Sequence, residues 1–251
     1  HVFDCPENGS FGNRRSVCQG DQYPEQCAWR KDIMKTALLI KAGKPYEEKV
    51  RGGLKTAFGD VLVFSGQVGD PYPDRLLKER FDLVVSWLSP WLVPEKTLVQ
   101  TRQFNINFHP GPPEYPGIGC FNFALYNQEE TYGVTCHIMA PSVDTGRIIG
   151  VKRFRVENDS VWSLSRKSYD AMFELFTETI DHLSRNGTLP DSTESWQRRP
   201  YRREELEALC VLTLDMDKTE IERRIHATDY PDMPGAYFLI HNKKFEYNPD
   251  R

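Results

Sequence analysis

Three short apolar runs dictate the architecture: Thr36–Ile40, Asp60–Phe64 and Phe81–Ser86. Each has the length of a strand and is apolar at nearly every position rather than at every second one. Strands of that kind are buried on both faces, which requires a parallel sheet covered by helices on both sides. The segments between them agree, since Glu47–Phe58 and Asp74–Arg80 read as helices. A fourth run, Phe104–Phe108, carries His109 at its carboxyl end, the edge at which open α/β sheets bind ligands. Gly133–Met139 and Arg147–Val156 predict two further strands. A long helix follows, capped by Asp159 or Ser160. Tyr169, Met172, Phe173, Phe176, Ile180 and Leu183 form its buried stripe, and Asn186-Gly187 ends it. The expected fold is α/β: a Rossmann-like, mostly parallel sheet with helices on both faces, plus a small C-terminal α+β module.

The flanks are different in character. Residues 1–34 are polar and turn-rich, with Asn8-Gly9 and Asn13 as turn formers, and read as an extension that carries no chemistry. The start at His1 suggests a trimmed or partial chain, and no signal peptide is legible there. Residues 35–187 form the expected catalytic domain. Residues 188–251 form the small module, entered through a polar connector, Thr188–Arg199. Within the module, Asp217 with Glu220 predicts a capping box ahead of Ile221–Ile225. Ala236–Ile240 and Lys244–Tyr247 predict a hairpin turning at His241-Asn242-Lys243. That apolar hairpin is suited either to a homodimer interface or to packing on the chain's own body.

With 251 residues, 39% hydrophobic and 27% charged, the chain can bury a sizeable core without covalent staples. Its net charge of −4 argues against a general nucleic-acid binder, and no run is long and apolar enough for a membrane helix. Six cysteines (5, 18, 27, 120, 136 and 210) include no Cys-x-x-Cys pair, so no metal site is expected. Reduced thiols in a cytoplasmic protein are the expectation. The turn after the first strand, Lys41-Ala42-Gly43-Lys44-Pro45, is not a dinucleotide fingerprint.

The chemistry concentrates between residues 105 and 146. Asn107-Phe108-His109 supplies an amide and an imidazole, and Val143-Asp144-Thr145-Gly146 supplies a distant carboxylate. These are the groups an acyl-transfer site needs. The amide holds a developing oxyanion, the imidazole takes a proton, and the acid steers the imidazole.

Asn107-Phe108-His109-Pro110, the loop through Tyr115-Pro116-Gly117, Gly133-Val134-Thr135 and Asp144-Thr145-Gly146, in that order, resemble the signature of folate-dependent formyltransferases over roughly residues 35–185. The resemblance implies 10-formyltetrahydrofolate as donor and assigns catalysis to Asn107, His109 and Asp144. It implies a donor pocket beside the loop after the third strand, with Trp87, Leu88, Ser89 and Trp91, together with Gly117 and Asp144. Trp87 and Trp91 serve equally as core residues on sequence grounds. His137 reads as a packing or supporting residue, and Cys120 and Cys136 as core. Where the family commonly has arginine before the loop glycine, this chain has Pro116, in a proline-heavy and therefore rigid loop.

The family formylates amino sugars linked to nucleotides or the initiator methionyl-tRNA, or hydrolyses the donor. Residues 188–251 hold ten Lys/Arg against thirteen Asp/Glu, too acidic for a tRNA-binding appendage. Arg224–Pro231 with Pro234–Phe238 is similar to the C-terminal segment of sugar N-formyltransferases. The resemblance therefore implies a nucleotide-linked amino sugar as acceptor, with no nucleic-acid or membrane partner. The alternatives are another amine or tRNA acceptor, a hydrolase, and a non-catalytic folate-binding module. Arg198, Arg199, Arg202 and Arg203 read as a solvated cluster more than as a diphosphate clamp.

Overall fold

A computed structural model describes residues 34–231, 233 and 235–247 of the chain. Residues 1–33, with Cys5, Cys18, Cys27 and the expected extension, lie outside the described residues.

A six-stranded sheet runs in the order β2-β1-β3-β4-β5-β6. β1 (Thr36–Lys41), β2 (Val61–Gly66), β3 (Leu83–Trp87) and β4 (Phe104–His109) are parallel. β5 (Thr131–Ile138) and β6 (Ile148–Arg155) are antiparallel additions on the β4 side. The sheet is thus mostly parallel, as expected; β5, reached from β4 through residues 110–130, runs against the other strands, and β6, joined to β5 by the loop after Ile138, turns back to their direction.

Alternation along each strand divides the core. Ala37, Leu39 and Val84 point to one face, where Leu76 of α2 (Asp74–Lys78) and Leu98 of α3 (Glu95–Gln100) pack. Trp87 and Phe108 point to the other, against Phe176 of α5 (Val161–Asn186). On that face α1 (Glu47–Phe58) lies along α5, with Gly53 letting the Phe176 ring approach. Asn105, Asn107 and His109 therefore share the α3 face, as the bond from Asn105 Nδ2 to the Leu98 carbonyl shows.

Ser160 caps α5 by accepting from the Ser163 N–H, while Asp159 supports it from behind by accepting from the Ser163 hydroxyl. Gly187 closes the helix in the left-handed region. Phe173 of the predicted stripe is only half-buried and stacks on Tyr46. Sequence periodicity missed α3 and α4 (Cys120–Tyr126), which are shorter than two full turns.

C-terminal to the sheet come α6 (Arg203–Cys210), β7 (Val211–Leu212), α7 (Lys218–Thr228), β8 (Tyr237–Ile240) and β9 (Lys243–Glu246). The predicted hairpin forms, with His241 and Asn242 both at positive φ in its turn, and β7 adds a parallel third strand that was too short to read. Asp217 does cap α7, but the box is not completed. The Glu220 carboxylate turns instead to Arg223, Arg224 and the Tyr126 hydroxyl. Charge-assisted partners are stronger than the neutral backbone N–H it would otherwise accept from.

Candidate active site

β4 places Asn107 and His109 on one face. The antiparallel register sets His137 of β5 directly across from Asn107. The loop from Met139 to Arg147 then brings Asp144 back to the same spot. That return needs two unusual residues. Asp144 sits at φ 44, in the left-handed region that Asp tolerates better than most side chains. At Gly146 a Cβ would lie 1.8 Å from the Ile138 carbonyl oxygen, so the two strands of the turn close only around glycine.

The four side chains form one hydrogen-bonded cluster. Asp144 Oδ2 lies 3.2 Å from His109 Nδ1 and accepts from the Gly117 N–H at 2.8 Å. Asp144 Oδ1 lies 3.2 Å from His137 Nε2, and Asn107 Nδ2 lies 3.0 Å from that same nitrogen. His137 Nδ1 donates to the Ile138 carbonyl at 2.8 Å, and His109 Nε2 sits 2.9 Å from the Tyr115 carbonyl oxygen. The donor inventory resolves these contacts. His137 donates through Nδ1 to the Ile138 carbonyl, and its Nε2 stands between the Asn107 amide and Asp144 Oδ1. His109 faces oxygen at both ring nitrogens, Asp144 Oδ2 at Nδ1 and the Tyr115 carbonyl at Nε2.

Asp144 is the carboxylate that both imidazoles face. Burial works against its charge, but His109, His137 and the Gly117 N–H outweigh it and hold the carboxyl well below the usual carboxylate range. His109, His137 and Asp144 are 5%, 2% and 6% exposed, whereas Asn107 is half-buried and keeps one amide hydrogen for a ligand.

Gly117 earns its place twice. It sits at φ 88, and a Cβ there would lie 2.4 Å from the Tyr201 carbonyl oxygen, because residues 188–202 strap across the loop that carries it. The strap is fixed by backbone bonds from Gln197 N–H to the Pro113 carbonyl and from Tyr201 N–H to the Pro116 carbonyl. Its Trp196 lies edge-on to both imidazoles, with centroids 6.0 Å from His109 and 5.2 Å from His137. The indole N–H donates to the Gly146 carbonyl at 2.8 Å. A stretch that reads as a polar connector is thus a wall of the site.

The sequence-predicted residues divide accordingly. Asn107, His109, Asp144 and Gly117 come together. Trp87 does not join them as a ligand wall. Strand alternation turns its ring into the α5 face, where it is fully buried and donates to the Pro45 carbonyl. Trp91 lies over Gly66 and donates to the Asp70 carbonyl, pinning the loops after β2 and β3 together. Leu88, at φ 51, and Ser89, whose hydroxyl accepts from the Trp91 N–H, form the tight turn leading to it. His137, read as a packing or supporting residue, stands beside Asn107 and Asp144, whereas Tyr115 and Trp196 were missed as members of the cluster.

Burial pushes the Cys120 thiol up to about 12, and Cys136 is fully buried, so neither is a nucleophile. Among the described residues no cluster of His, Cys, Asp or Glu is arranged to hold a metal, and no helix is long and apolar enough to cross a membrane.

The formyl transferase family matches residues 68–180, which include Asn107, His109, Gly117, His137 and Asp144. GDP-perosamine N-formyltransferase of Brucella melitensis is 26% identical over 166 residues, 65% of this chain and 63% of that protein. Methionyl-tRNA formyltransferase of Staphylococcus aureus is 28% identical over 187 residues, 72% of this chain and 57% of that one. The chain thus spans less than two thirds of the length of these curated relatives. A sugar N-formyltransferase from a Shewanella species superposes with TM-score 0.69 at 19% identity, over 84% of this chain and 96% of that one. An N-formyltransferase of Helicobacter canadensis, in complex with folinic acid and dTDP-3-aminofucose, superposes with TM-score 0.66 at 16% identity, over 84% and 86%. The chain is thus similar to formyl transferases over residues 68–180 and has a fold like that of the sugar N-formyltransferases.

Proposed function

We propose that this protein transfers a formyl group from 10-formyltetrahydrofolate to the amino group of a nucleotide-linked amino sugar. The observation that carries the reading is the cluster of Asn107, His137, Asp144 and His109 at the carboxyl end of β4. The free hydrogen of the Asn107 amide is the donor for the formyl oxygen. His137 fixes that amide through its Nε2, 3.0 Å from Asn107 Nδ2.

In the reaction, the acceptor nitrogen attacks the formyl carbon and the carbonyl oxygen gains charge against Asn107. His109, in its neutral form, takes the proton released by the acceptor nitrogen. The bond from carbon to N10 breaks, and N10 regains a proton as tetrahydrofolate leaves. Asp144 holds the imidazole and stabilises its charged form. The setting suits a flat heterocycle at the mouth of the site, since Ile118 beside Gly117, Val143 beside Asp144, and Leu92 in the loop after β3 all stand exposed. The Brucella relative and the Helicobacter complex support the acceptor class, as does the acidic composition of residues 188–251.

The test is donor consumption with nucleotide-linked amino sugars, with methionyl-tRNA and with no amine. Tetrahydrofolate release that depends on the sugar, with formylated sugar in the mass spectrum, is the expected result. Release with methionyl-tRNA alone would replace the acceptor, and release without any amine would make the protein a hydrolase. His109→Asn is expected to lower turnover about 100- to 10,000-fold while donor binding persists.

A further inference from the structure

His109, His137 and Asp144 are almost fully covered, and both ring nitrogens of His109 are occupied by protein oxygens. A reacting nitrogen or formyl carbon cannot reach His109 until something moves. Trp196 stands directly against both imidazoles, with one hydrogen bond to the Gly146 carbonyl and two ring-edge contacts. The strap that carries it has neither helix nor strand between residues 188 and 200. On the N-terminal side of Trp196 its side-chain ties are surface ion pairs, Arg147 with Asp191 at 2.9 Å and Arg153 with Glu194 at 3.0 Å. Such pairs are solvent-screened and open readily. On the C-terminal side the backbone bonds of Gln197 and Tyr201 hold firm, so the indole can swing about a fixed end.

We propose that Trp196 is a gate over the histidine pair that sets the partition of the formyl group between an amine and water. The gate lifts to admit the reactants and returns to exclude water, whose attack on the same carbon would yield formate and tetrahydrofolate. The specificity it confers rests on the formyl-transfer reading; the movement itself does not.

Two readouts keep these apart. The first is carbethoxylation of His109 and His137 by diethyl pyrocarbonate, followed by peptide mass spectrometry, with exposed His226 and His241 as internal controls. Trp196→Ala, and Trp196→Leu should the alanine variant fold poorly, are expected to accelerate modification of the pair about tenfold. Trp196→Phe restores protection, and Glu194→Gln, which weakens the strap's tie to Arg153, accelerates modification to a lesser degree. The second is the ratio of formylated amine to tetrahydrofolate released, which falls in the alanine and leucine variants and recovers in the phenylalanine variant. Unchanged histidine modification together with an unchanged ratio in Trp196→Ala would overturn the gate. Absence of turnover in the unaltered protein would overturn the formyl-transfer reading, while the modification arm would still decide the movement.

Discussion

At the scale of single residues, Asp144 links the site to stability. Its folded carboxyl sits below the unfolded value of about 4, so it contributes stability that is fully present above that value. The contribution is lost as the pH falls through the folded value. Urea melts taken downward from about pH 6 should therefore show acid destabilisation that is shallower in Asp144→Asn. Equal acid slopes in the two proteins would remove the linkage. Gly146→Ala places a methyl group 1.8 Å from the Ile138 carbonyl, and a loss of about 4 kcal/mol or more in the same melts is expected. Asn107, His109 and Asp144 were legible because their chemistry stands in the sequence. His137 was legible as a packing or supporting residue, but not which groups it would meet: a histidine on a buried strand requires polar partners, and only the register of β5 against β4 names Asn107 as one. Trp196 had none, since it lies 50 residues from its hydrogen-bond partner Gly146.

At the scale of elements, α5 is the keystone of the face opposite the site. Phe176 is 1% exposed and meets Trp87, Phe108 and Phe173. Its neighbour Phe108 lies between Asn107 and His109 on β4, so packing on one face of the strand fixes the chemistry on the other. Phe176→Ala is expected to cost about 3–5 kcal/mol, read from the midpoint of chemical denaturation. A loss under about 1 kcal/mol would mean that the aromatic cluster collapses to fill the space. The strands and α5 were readable because burial imposes periods of two and 3.6 over long runs. The helices α3 and α4 were not, because six and seven residues give too few turns for a period to show.

At the scale of the described molecule, α7 docks on α4 through polar side chains. Asn122 Nδ2 donates to the Ala227 carbonyl at 2.7 Å, and Glu220 gathers Tyr126, Arg223 and Arg224. Arg224 also donates to the carbonyls of Ala208 and Val211, satisfying the end of α6. Arg224→Ala should lower stability by about 1–3 kcal/mol without splitting the unfolding transition. A separate early transition would instead mark residues 203–247 as an independently melting unit.

The sequence by itself determined the layered α/β sheet and the amide, imidazole and carboxylate that gather at the carboxyl end of its fourth strand. Those features follow from local periodicity and side-chain chemistry, which a chain carries in its order of residues. Tertiary structure alone decided that Trp87 is core rather than ligand wall, that His137 orients Asn107, and that residue 196 roofs the histidines. Each of these depends on which face of a strand meets which distant segment, and that is set by long-range packing rather than by any neighbour in the chain.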